Sequence, residues 1–198
     1  MLIVSFNINP GPPDNATADQ LAAFGREYYT SILWGAWLQA VGPVLNVAFA
    51  VAIVCLAGAT NRFSGWMTLF GGAILTMVSL VEIAFYYSAL FPNPPTMGLV
   101  GLALIHAVQH LYFIVAAPAL FLPLSAVILG SPVLPRLFGY LAFAIGSTFA
   151  LAGVATLFTL TLPTPVLAFA GVQALWWAAA AIALIVRPGS VPYAVRRS

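Results

Sequence analysis

Glu82 lies in the middle of the apolar run 66–90, and no other charged side chain is placed so deep in one. A carboxylate in hydrocarbon costs about 2.5–3.5 kcal/mol on insertion scales unless it is paired or protonated, so it marks a functional site by default. The next apolar run holds the only two histidines, His106 and His110, four residues apart and hence on one helical face. Two imidazoles at that spacing, with a carboxylate as third ligand, can hold a metal ion and leave one position open. Glu82, His106 and His110 are therefore the expected metal ligands. The same groups could instead hold a proton or the polar end of a hydrophobic molecule. For that case the expected ligand-binding set is Glu82, Tyr86, His106, Gln109, His110 and Gln173, with Tyr112 and Trp176 as further walls.

Depth supports the grouping. At about 1.5 Å per residue, Glu82 and His106 each sit roughly 13 Å from the Pro-rich turn between their runs, close to the midplane of a ~30 Å core. Gln39 and Gln173 reach a similar level on the first and last runs. Along one face Glu82 shares its side with Ser79 and Tyr86, while Leu102, His106, Gln109, His110 and Phe113 form a stripe on the next run. Packing the two stripes would set the carboxylate beside an imidazole, and such a pair titrates as a unit.

Haem fits less well than a single metal ion. Two histidines on one helix cannot clamp opposite faces of a porphyrin, and Met77 points away from Glu82. The remaining readings are a hydrogen-bonded pin that fixes helix register and a proton relay. No Gly-rich phosphate loop, paired-carboxylate motif or nucleophile elbow occurs, so no catalytic residue is assigned and enzyme activity is left open.

These residues need a frame, and composition supplies it. Hydrophobic residues make up 63% and charged residues 5% of the 198 positions, with mean hydropathy +1.05. Soluble domains run near ~25% charged, so this chain is read as an integral membrane protein. A net charge of +2 without a clustered basic face excludes nucleic acid as a partner. The single cysteine, Cys55, rules out an internal disulfide or a multi-cysteine metal site.

Five runs are long enough to cross: residues 31–56, 66–90, 99–123, 137–161 and 166–187. Only helices satisfy their own backbone in lipid at this length, which predicts an all-α polytopic bundle of five transmembrane helices. Thr17 and Gln20 read as a capping box opening a short interfacial helix over 17–29. The organisation is thus an extracytoplasmic segment 1–30, a bundle over 31–187 and a cytoplasmic tail 188–198. Arg62, Arg136, Arg187, Arg196 and Arg197 fall on one side and Arg26 on the other, which places the amino terminus outside and the carboxyl terminus in the cytoplasm of a cell membrane.

Lesser features fill in the frame. Pro43, Pro118 and Pro123 are expected to bend their helices. Ala142, Gly146 and Ala150 form a small-residue face for close helix approach. Gln39 and Asn46 are read as facing different ways, with Asn46 at an interhelical contact, and Trp34, Trp37, Trp66, Trp176 and Trp177 as interface and packing aromatics.

Two functions of different class follow. One is a mid-bilayer site binding a metal, a proton or a small hydrophobic ligand. The other is a non-catalytic accessory subunit of a larger membrane complex, with the Glu/His cluster acting as glue between helices. Lipids are the constant partner, and other membrane subunits or further copies of the chain are the possible protein partners.

Overall fold

A computed structural model of the chain describes residues 8, 16–91, 94, 96–155 and 164–186, with 164–170 described by backbone alone. The helices are α1 (Ala18–Glu27), α2 (Tyr29–Leu56), α3 (Phe63–Leu90), α4 (Met97–Leu111), α5 (Ala117–Leu129), α6 (Arg136–Ala155) and α7 (Thr164–Val186), with a π-helical turn at Tyr112–Ala116 between α4 and α5. No strand occurs among the described residues.

Four segments are long and apolar enough to cross a membrane: Tyr29–Leu56, Phe63–Leu90, Met97–Leu129 and Arg136–Ala155. The stretch expected as a fifth crossing is helical in α7, but its side chains are described only over Gly171–Val186, which is shorter than a span. The cytoplasmic tail expected at 188–198 lies outside the described residues, as does most of the segment before α1.

The capping box forms as its residue types require. The Thr17 hydroxyl accepts from the Gln20 amide N–H at 3.3 Å, and the Gln20 side chain accepts from the Thr17 N–H at 2.9 Å. The helix that follows does more than lie in an interface. Leu21 and Phe24 are buried with Ile32 and Leu90, and Gly25 lets α1 approach the Leu90 carbonyl so closely that a Cβ there would overlap it. α1 is therefore docked on the end of α3.

The Met97–Leu129 segment lies at the centre of the bundle. Its most apolar stretch is 56% buried, against 28–33% for the other three crossings. Leu120, Phe121, Leu124 and Ile128 are fully enclosed. Gly71 of α3 meets the backbone of Ala119, and Gly146 and Gly153 of α6 meet Phe121, Leu122 and Ile114. The buried stripe of α6 is Gly139, Ala142, Ile145, Gly146, Phe149 and Gly153. Ala150, expected in it, is only half-buried, because the stripe follows a spacing of three and four rather than four alone.

Pro118 suits the π-helical turn. It has no N–H to give the helix ladder, and its ring would collide with the carbonyl four residues earlier. The chain accommodates this by widening: the Ala117 N–H reaches back five residues to the Tyr112 carbonyl. The third crossing is thus one continuous helix through Leu129, and not a shorter helix followed by an interfacial piece.

At one end of the bundle Gly58 adopts φ 61° just past α2, the left-handed geometry that glycine favours. Beside it, Arg62 donates from Nη1 to the Gly130 carbonyl at 3.3 Å. This contact joins the α2–α3 and α5–α6 loops at one end. Leu, Val and Phe side chains remain exposed along the outer helix faces, as lipid contact demands. Trp34, Trp37 and Trp66 are exposed, whereas Trp176 and Trp177 are buried against Phe121. The tryptophan pair belongs to the core.

Candidate functional site

Glu82 and Gln173, two of the polar residues expected near mid-membrane, each find a partner on the central segment. Gln109 of α4 donates from Nε2 to Oε1 of Glu82 on α3 at 3.0 Å. Three residues later, in the π-helical turn, the Tyr112 hydroxyl donates to Oε1 of Gln173 on α7 at 2.5 Å. Two consecutive turns of one central segment therefore tie it to α3 on one side and α7 on the other. Tyr112 and Phe113 stack about Phe149 of α6, with ring centroids 5.9 and 5.5 Å away, which holds the phenol in place.

The histidines do not join these contacts as a pair. His106 is exposed. His110 is buried, and its Nδ1 lies 2.8 Å from the carbonyl of His106 in its own helix. A carbonyl can only accept, so Nδ1 carries the proton. Among the described residues no group of three His, Cys, Asp or Glu side chains is placed to hold a metal ion. The expected metal set of Glu82, His106 and His110 is therefore not assembled. The reason is rotational: the carboxylate meets the glutamine of the α4 stripe, while His106, at the stripe's edge, turns outward.

The wider ligand set divides as well. Tyr86 packs with the α1 cluster around Leu90, toward the carboxyl-terminal end of α3. Gln173 is buried and serves two places: it accepts from Tyr112, and it lines a groove of about 350 Å³ between α2 and α7. Asn46, Phe49 and Trp177 line the same groove. Asn46 was read as facing away from Gln39, but seven residues are two helical turns, so on a regular helix the two differ by only about 20°. That spacing was the available signal for a polar stripe on α2.

The arrangement offers hydrogen bonding and proton exchange. Glu82 is a carboxyl answered by a neutral amide, and no described side chain forms a nucleophile–base pair beside it. No protein-family model, curated protein or solved structure matches this chain.

Proposed function

We propose that this chain is a non-catalytic accessory subunit of a membrane assembly, built of five crossings with its amino terminus outside and its carboxyl terminus in the cytoplasm. The observation that carries this reading is His106. Its imidazole is exposed near the middle of a crossing, and no hydrogen bond of its side chain occurs among the described residues. An imidazole facing acyl chains forfeits its hydration, at about 1–3 kcal/mol for an unanswered polar group. A second membrane chain packed on this face of α4 removes that cost. The inward polar groups meanwhile hold the subunit together through the Glu82–Gln109 and Tyr112–Gln173 bonds.

The fifth crossing is supported by the apolar helix α7. The orientation is supported by the arginines, since the Arg62 contact with Gly130 joins two of the loops that fall on the arginine-rich side.

Purification in mild detergent tests the assembly. The wild-type chain is expected to migrate with a stoichiometric second chain, or as a defined oligomer, and His106→Leu to lose that association while remaining folded. A wild-type chain that runs as a clean monomer in both detergent and lipid nanodiscs refutes the proposal.

A second reading keeps Glu82 as a mid-bilayer site for a proton or for the polar end of a hydrophobic ligand. It is favoured by the neutrality of the partner, since Gln109 satisfies one carboxyl oxygen without fixing a charge on it. Infrared difference spectra of the wild type and Glu82→Gln across a pH titration test it. A carboxyl band that appears and disappears with pH, and is absent in the variant, is the expected result.

A further inference from the structure

The groove between α2 and α7 has an uneven hydrogen-bonding inventory. Gly42, Asn46 and Phe49 line it from α2, and Gln173, Trp177 and Ala178 from α7. The rings of Phe49 and Trp177 meet edge-on at 5.8 Å, which bridges the two helices. The Trp177 indole N–H is enclosed among its neighbours, away from the open groove, and has no hydrogen-bond partner among the described residues. The Asn46 amide has none among the described residues. Gln173 spends its oxygen on Tyr112 and keeps its NH₂ group.

Each amide supplies two N–H groups, while only the Asn46 oxygen is left to accept. Neither an acidic nor a basic side chain lines the groove, so nothing there pairs an ammonium, a carboxylate or a phosphate. The unmet need is for an acceptor on an uncharged, apolar body.

We propose that this groove binds an apolar molecule presenting a carbonyl oxygen to Asn46 and Gln173, with Trp177 as its aromatic wall. Its volume of about 350 Å³ is at the small end of ligand sites, which run from about 300 to 1,000 Å³. That suits a carbonyl-bearing ring or a single acyl chain. Asn46 lies ten residues before the end of α2, about 15 Å along the helix and so deep in the core. Carbonyls come from two sources in a membrane, diffusing apolar ketones such as quinones and the ester groups of the lipids themselves. The depth favours the ketone.

The test uses the full chain in nanodiscs, with decylubiquinone as probe and tryptophan fluorescence quenching as readout. In ether-linked lipid, which has no ester carbonyls, saturable quenching is expected. It should lose most of its amplitude in Trp177→Phe. Asn46→Leu should weaken the apparent affinity about tenfold, roughly the worth of one buried hydrogen bond. Ala178→Leu keeps every donor but fills the space, and should weaken binding as well, which covers the case in which Asn46→Leu misfolds. Repeating the titration in ester-linked lipid separates the sources: an unchanged affinity assigns the groove to the ketone, and a much reduced one to a lipid ester already seated there. Quenching that is linear in probe and identical in all three variants overturns the proposal.

Discussion

Gln109 and Glu82 are joined across α4 and α3 by one hydrogen bond of 3.0 Å, and this neutral amide occupies the place beside the carboxyl where an imidazole was expected. The pairing makes a specific energetic statement. Intramembrane hydrogen bonds average about 0.6 kcal/mol in coupling and reach about 1.7. A double-mutant cycle of Glu82→Ala and Gln109→Ala, read by unfolding in SDS, is expected to give a coupling inside that range. Glu82→Gln keeps an acceptor oxygen and should cost less than either alanine variant. Zero coupling in the cycle means that the two side chains do not pair in the bilayer.

Tyr112 to Gln173 is the second tie, and together with the Trp176 indole N–H, which donates to the Phe138 carbonyl of α6 at 3.1 Å, it holds α7 through polar contact. Tyr112→Phe keeps the ring packing on Phe113 and Phe149 and removes only the hydroxyl. Loss of about 1 kcal/mol is expected, with Gln173 left to carry an unmet acceptor. Because the bond joins the central segment to α7, limited proteolysis in nanodiscs should show the loss selectively at α7, with the core of α3, α5 and α6 unchanged. Uniform destabilisation of every helix counts against this placement.

The parts of this fold that are legible in sequence are those set locally. Apolar runs, the Thr17–Gln20 cap and the breaks near Gly58 and Gly130 depend on nearby residues, and each appears where its chemistry requires. Depth along a helix was legible in part: Glu82 was set level with His106, and its partner is Gln109, three residues further along α4. Rotation was not. His106 and His110 differ by only about 40° around α4, yet one is exposed and the other buried, because the edge of the buried stripe passes between them. Trp176 and Trp177 differ by about 100° and are both buried, since Phe121 fits against both rings at 5.5 and 5.4 Å. Such choices belong to the partner helix, and no single run of sequence contains them.

Two glycines separate packing from propensity. A Cβ on Gly71 would overlap the backbone of Ala119, where α3 crosses the central segment. Gly71→Ala must push those helices apart, at about 1–3 kcal/mol. Gly171 on α7 has nothing among the described residues within 4 Å of an added Cβ. There alanine only relieves the helix of glycine's backbone entropy, a gain of about 0.5–1 kcal/mol. Opposite signs for the two substitutions in one unfolding assay are expected, and equal signs would falsify the close approach at Ala119.

Pro118 sets two effects against each other. Replacing it with alanine restores an N–H and lifts a penalty of about 3 kcal/mol from an ordinary α-helix. Closing the widened turn would move one residue out of register and rotate α4 by roughly 100° relative to α5. That rotation would pull Gln109 from Glu82, Tyr112 from Gln173, and Gly101 from its seat on the Ala89 backbone. It would also expose Ile105 and Val108, now buried, at about 1.5–3 kcal/mol each if water replaced their contacts and less if lipid did. Several contacts of this size together outweigh the backbone gain, so Pro118→Ala is expected to keep the π-helical turn. The Glu82–Gln109 cycle repeated in that variant reads the result directly. Retained coupling means that packing holds the register, whereas vanished coupling means that the proline alone had been setting it.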